Sequence, residues 1–168
     1  MDSNPHEPTA PFQPDPRWMH KAIQLSRLAA EQGEVPVGAV IVQGDRLLAQ
    51  AYNQVELLHD PTAHAEMIAI TQAANALGDW RLADCVLYVT KEPCPMCSGA
   101  IVLARLPVVV WGMSDPQRGG ACSRFKILDD PALNHRTHMV PGLLEEPCRE
   151  VMQSFFRGRR QEKKRREE

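Results

Sequence analysis

The stretch CVLYVTKEPCPMC, Cys85 to Cys97, carries the signal that decides the fold. Its first half, Cys85 to Thr90, has almost no polar face, which is the pattern of a strand buried on both sides in the middle of a sheet. Pro93 and Pro95 then break the strand, and SGAIVLARL (98–106) resumes as a helix. A buried strand handed on to a helix points to an α/β architecture.

The flanking segments agree. Asp15-Pro16 reads as an N-cap with proline at the first helical position. The run after it sets Trp18, Ala22, Leu25 and Ala29 at helical spacing and stops at Gly33. VGAVIV (37–42) and LLAQAY (47–52) flank Gln43-Gly44-Asp45 as two strands and a tight turn. After a loop from Asn53 to Pro61, Thr62 reads as the N-cap of a helix that reaches about Leu77 and ends at Gly78. PVVVWG (107–112) is a fourth strand. Loop signals fill 113–135, with a short helix near Phe125–Leu128, and THMV (137–140) is a weak fifth strand. From about Glu145 the chain is helical, with Val151, Met152, Phe155 and Phe156 as its apolar stripe. The expected fold is therefore α/β, a three-layer α/β/α sandwich on a five-stranded mixed sheet. One domain over residues 15–168 follows a proline-rich leader, residues 1–14, too poor in large apolar side chains to order itself.

Composition narrows the function classes. A chain of 168 residues suits one domain with a sizeable core. No apolar run approaches the roughly 18–20 residues a membrane span needs, and the N-terminus lacks the basic start and apolar core of a secretory signal. The expectation is a cytoplasmic location without membrane contact. Five cysteines, an odd number, argue against a disulfide framework and toward metal binding or buried thiols. From Arg157 to Glu168 seven Lys/Arg face three Glu, a net of +4, and with −2 overall the remainder carries −6. A basic tail on an acidic body fits a polyanionic partner, and fits equally a solvated helix end favoured by cations.

The chemistry lies in DPTAHAEMIAI (60–70) together with PCPMC (93–97). A charge inside an apolar helix start is costly unless something pairs with it, so His64 and Glu66 need a reason. Cys94 and Cys97 stand three apart at a helix start, where free N–H groups and a partial positive charge favour thiolates. With neutral His64 they supply three of the four tetrahedral positions of zinc, one ion per subunit, and leave the fourth to water, as catalytic zinc requires. Cys85, Cys122 and Cys148 stay open as a fourth ligand, although none has motif spacing. Glu66, beside the metal but not bound to it, would take the proton of the activated water. Residues two apart in a regular helix point roughly 200° from each other, so His64 and Glu66 converge only with a particular geometry at the helix start.

HAE followed by PCPMC resembles the H-x-E…P-C-x-x-C signature of zinc-dependent nucleoside and nucleotide deaminases, the cytidine deaminase superfamily. EVPVGAV (34–40), Asn53, HDPTAHAE, LYVT with EPC, WGMSDP, NHR (134–136) and FFRGRRQ occur in the order seen in bacterial tRNA adenosine deaminases, over roughly residues 17–162. The resemblance implies hydrolysis of adenosine to inosine at the wobble position of a tRNA anticodon stem-loop, by a homodimer with active sites near the subunit interface. Activated water would attack C6 of adenine while Glu66 relays its proton to N1 and then helps ammonia leave. Asn53 would bond the target nucleoside, Asp115 and Asn134 the flanking nucleotides, and Phe156 would pack against an anticodon base. Arg157, Arg159 and Arg160 would meet phosphates. Gln117 stands where the family often has lysine, and Cys122 where glycine is common, which bears on the flanking contacts rather than the chemistry. The alternatives are a small-molecule deaminase acting on guanine, cytosine or a nucleoside, a non-catalytic zinc module that binds RNA or protein, and a thiol-redox protein.

Overall fold

The computed structural model describes residues 11–168. Five strands form one sheet: β1 (Gly38–Gln43), β2 (Arg46–Tyr52), β3 (Val86–Lys91), β4 (Val108–Met113) and β5 (His138–Pro141). Their order is β2-β1-β3-β4-β5, so the strand with no polar face is the central one. β1 runs antiparallel to both β2 and β3, whereas β3, β4 and β5 are parallel. The sheet is mixed because a hairpin built on Gly44-Asp45 precedes two helical crossovers.

Among the described residues five α-helices complete the layers: α1 (Pro16–Glu31), α2 (Val55–Leu58), α3 (Ala65–Leu77), α4 (Pro95–Leu103) and α5 (Glu145–Glu167). Strand alternation sorts the core in two. Ala39, Ile41, Leu87, Val89, Val109 and Trp111 face Ala65, Ala69 and Ala73 of α3 and Ile101 of α4. Val40, Val42, Tyr88 and Val110 point the other way, onto Met19, Ala22 and Ile23 of α1 and Cys148 of α5. The alanines of α3 let that helix lie close on the sheet, a short distance from the end of β3.

Several boundaries differ from the sequence expectation. α3 begins at Ala65 with His64, not Thr62, as its N-cap. The Thr62 hydroxyl instead donates to Asp60 at 2.7 Å, which closes the preceding turn. α4 begins at Pro95 and ends at Leu103, three residues earlier at each end than expected. Proline suits the first helical position, and Cys94 provides the extended residue before it. Residues 53–61, expected as a loop, include α2, and the short helix near 125–128 is a 3-10 turn over Ile127–Asp129. In α1 the buried stripe is Met19, Ala22, Ile23, Ser26 and Ala29, with Trp18 only partly buried. Asp15 caps that helix by accepting from Arg17 N–H at 2.9 Å.

The leader expected over 1–14 lies mostly outside the described residues. Of its last four, Phe12 packs with the α1-side core and sets its ring edge-on to His138 at 6.4 Å. Among the described residues no helix is long and apolar enough to cross a membrane.

Candidate active site

Two helices start at the same place, beyond the C-terminal end of β3. His64 precedes α3 with extended backbone (φ −75, ψ 151), and Cys94 precedes α4 likewise (φ −69, ψ 174). His64 Nδ1 lies 3.6 Å from Cys94 Sγ and 3.5 Å from Cys97 Sγ. The three donor atoms all fall within 4.8 Å of one another, a group that could hold a metal ion. The geometric difficulty raised by the His64–Glu66 spacing disappears because His64 stands outside the helix. Its extended backbone lets the imidazole and the Glu66 carboxyl border the same cavity.

Cys85, Cys122 and Cys148 do not join this group. Cys85 and Cys148 are buried in the two core clusters, and Cys122 is half-buried against the larger one.

The electrostatics follow from burial. Glu66 is 4% exposed, and its desolvation pushes the carboxyl above its ordinary value, against the opposing pull of its own backbone N–H and of His64. Hydrogen bonding from Cys97, and then from His64, draws Cys94 down to about 4. The same Cys97–Cys94 bond, together with burial, pushes Cys97 up. The two thiols are thus driven in opposite directions, Cys94 toward the thiolate and Cys97 toward the thiol.

Above these residues opens a cavity of about 350 Å³, bordered by Asn53, Glu34, Lys91, Asp115, Arg118 and Arg159. That volume suits a small organic ligand. Asn53 is buried, and its Oδ1 accepts from Ala65 N–H at 2.9 Å. The side-chain carbonyl therefore ties the first turn of α3 and leaves the amide NH₂ as donor. Glu34 accepts from the N–H groups of Leu57 (2.8 Å) and Glu56 (3.1 Å), which anchors α2 as the cavity's side wall.

Glu92 organises the opposite wall. One oxygen accepts from the N–H groups of Cys122 and Ser123, and the other from Asp115 N–H and the Ser123 hydroxyl. Burial pushes this carboxyl up, yet the four hydrogen bonds outweigh it and its pKa lies below the ordinary value. The loop after β4 is pressed close: a Cβ on Gly119 would collide with the Glu92 carboxylate, and one on Gly120 with the Cys94–Pro95 backbone. Asp115 pairs with Lys91 Nζ at 2.7 Å and accepts from the N–H groups of Gln117 and Arg118.

The site residues expected from sequence thus divide. His64, Glu66, Cys94, Cys97, Asn53, Asp115 and Arg159 gather at or beside the cavity. Arg159 sits over the Phe155 ring at 5.4 Å and donates to Gly33 O at 3.4 Å. Asn134, Phe156, Arg157 and Arg160 are exposed and do not border the cavity. A larger open groove of about 710 Å³ between α1 and α5 shares only Gly33 and Arg159 with it. Sequence reasoning missed the work of Glu34, Lys91, Glu92 and Arg118. Glu34 and Glu92 carry no signal of that work in the sequence, because what they hold are backbone N–H groups far along the chain.

Residues 14–160 match the model of the MafB19-like deaminase family. The tRNA-specific adenosine deaminase of Bacillus subtilis (strain 168) is 45% identical over 150 residues, covering 89% of this chain and 93% of that one. A solved structure from work on A-to-I editing by tRNA:A34 deaminases at the wobble position of transfer RNA aligns with a TM-score of 0.78 at 39% identity, covering 80% of this chain and 98% of the other. The X-ray structure of guanine deaminase from Bacillus subtilis aligns with a TM-score of 0.59 at 34% identity, covering 75% and 83%.

Proposed function

The chain belongs to the MafB19-like deaminases and, within them, to the tRNA-specific adenosine deaminases, and from that premise we propose that it hydrolyses adenosine to inosine at position 34 of a tRNA anticodon. The observation that carries the reading is the convergence of His64, Cys94 and Cys97 beside buried Glu66. Zinc fits these donors. Tetrahedral bonds of about 2.0 Å to nitrogen and about 2.3 Å to sulfur put nitrogen and sulfur about 3.5 Å apart, and the spacings here are 3.5 and 3.6 Å.

Zinc bound there supplies the activation of water, whose pKa falls to about 7. The chain's own groups do the rest. Glu66 accepts the water proton and passes it to N1 of adenine, so that hydroxide adds at C6. It then carries the second proton to the C6 amino group, which leaves as ammonia. The NH₂ of Asn53, free of the helix tie made by its carbonyl, donates to the nucleoside. Asp115 at the mouth, with Asn134 and Phe156 farther out, serves the flanking nucleotides, and Arg157, Arg159 and Arg160 serve phosphates. Exposed Leu57 and Leu58 on the side wall, with Trp80 and Leu103 elsewhere, support a homodimer. The site of action is the cytoplasm, with one zinc per subunit.

The alternative is a small-molecule deaminase, which the guanine deaminase relative keeps in view. The decisive assay sets the purified protein against an adenosine-34 anticodon stem-loop, with free adenosine, guanine and cytidine alongside. Inosine in the stem-loop is the expected product. Turnover of a free base without turnover of the stem-loop overturns the reading. Cys94→Ser protein, assayed for bound zinc, is expected to lose it.

A further inference from the structure

Three cations reach the cavity mouth from three separate elements: Lys91 from the end of β3, Arg118 from the loop after β4, and Arg159 from α5. The carboxylates around them are largely committed elsewhere. Glu34 gives both oxygens to the N–H groups of α2, and Glu92 gives both to the loop spanning Asp115 and Ser123. Asp115 takes one donor of the Lys91 ammonium, which has three. Arg118 and Arg159 make no ion pair among the described residues. Glu56, exposed on the side wall, is the remaining acid at the opening.

Bracing Asp115 is not a sufficient role for this arrangement. Two backbone N–H groups already hold Asp115 Oδ1, and neither Arg118 nor Arg159 extends a side chain to it. A half-buried ammonium with donors to spare, beside two unpaired guanidinium groups over a nucleoside-sized cavity, is an anion site. We infer that Lys91, together with Arg118 and Arg159, binds a backbone phosphate adjoining the adenosine held in the cavity. The inference rests on the adenosine deaminase reading above and deepens it. The charge of the strand becomes part of recognition, and a free nucleoside forfeits that contact.

The test compares wild type, Lys91→Met and Lys91→Arg on an anticodon stem-loop and on two versions in which a neutral methylphosphonate replaces the linkage on either side of adenosine 34. On the all-phosphate stem-loop, Lys91→Met is expected to raise KM about tenfold or more, the size of a hydrogen bond to a charged group. Its kcat is expected to hold, and its affinity to fall less steeply with salt, by about 0.7 in the log–log slope. On one of the neutralised stem-loops wild type should weaken to the level of Lys91→Met, and the difference between them should vanish. Lys91→Arg should restore the contact.

A Lys91→Met penalty that persists undiminished on both neutralised stem-loops, or that falls on kcat alone, makes Lys91 a brace of Asp115 and overturns the inference. If Lys91→Met does not fold, Arg118→Gln, an exposed position, is judged by the same criteria. Affinity measured by titration gives the same comparison without turnover. An inactive wild type that still shows the phosphate-dependent loss therefore sinks the reaction and keeps the anion site.

Discussion

Glu66 and Glu92 are both buried carboxylates beside one cavity, and burial pushes both toward the neutral form. They end on opposite sides of the ordinary value. Glu92, in the loop wall, receives four hydrogen bonds that more than repay its desolvation. Glu66, on the cavity floor, has its own backbone N–H and a neighbouring imidazole, and desolvation wins. A carboxylate whose acceptor sites are filled is a structural tie. One left with acceptor capacity next to a metal-donor group is placed to move a proton.

Exchanging each acid for its amide separates the two roles. Glu66→Gln removes the proton carrier and little else. Deamination is expected to fall by about 10²–10⁴-fold, the usual worth of a positioned acid–base, while zinc content and Tm hold. A Glu66→Gln enzyme that still turned over at the wild-type rate would break the comparison at once. Glu92→Gln should do the reverse in kind. Losing charge-assisted bonds to four donors is expected to cost about 1–3 kcal/mol, read as a Tm lower by about 2–4 °C per kcal/mol for a chain of this size. Activity should fall alongside stability, because the loop that carries Asp115 and Arg118 loosens.

The same contrast explains what could be read from the sequence. The floor was legible: His64, Glu66, Cys94 and Cys97 are unusual residue types at helix starts, so composition and spacing alone mark them. The sheet was legible too, because β3 has no polar face and Gly44 marks the hairpin. The walls were not. Glu34 and Glu92 act on backbone N–H groups 22 to 31 positions away, and a backbone N–H leaves no trace in a sequence. Thr62 misled for a related reason: its hydroxyl had two uses, and the turn at Asp60 took it. The extended backbone at His64, which reconciles a two-residue spacing with one shared cavity, shows only in three dimensions.

Asp115 falls on the Glu92 side of that divide. Burial raises its carboxyl, but the Lys91 ammonium and the N–H groups of Arg118 and Gln117 hold it below 3.8. A carboxyl lowered by folding adds stability above its unfolded value and loses that stability as pH falls through the folded one. Asp115→Asn should therefore melt below wild type at pH 7, and the gap in Tm should close as pH drops below 3.8. A gap that stayed constant down to pH 2 would mean that the ion pair with Lys91, though mostly covered, contributes nothing.

The smallest expected difference lies on α5, between neighbours that the sequence treats alike. Arg159 follows Phe155 by four residues and packs over its ring, which turns the guanidinium toward Gly33 and the cavity. Arg160 follows Phe156 by four and shares that exposed face instead. Both cations can meet phosphates, but only Arg159 stands where the edited nucleotide enters. Arg159→Gln is expected to raise KM several-fold both for the stem-loop and for a trinucleotide centred on the adenosine. Arg160→Gln should weaken the stem-loop alone, and only at low salt, since an exposed contact is screened beyond a Debye length of about 10 Å at 0.1 M. If Arg160→Gln harmed the trinucleotide as much as Arg159→Gln, the basic tail would act as a general polyanion surface, and the cavity mouth would lose its claim to a specific phosphate.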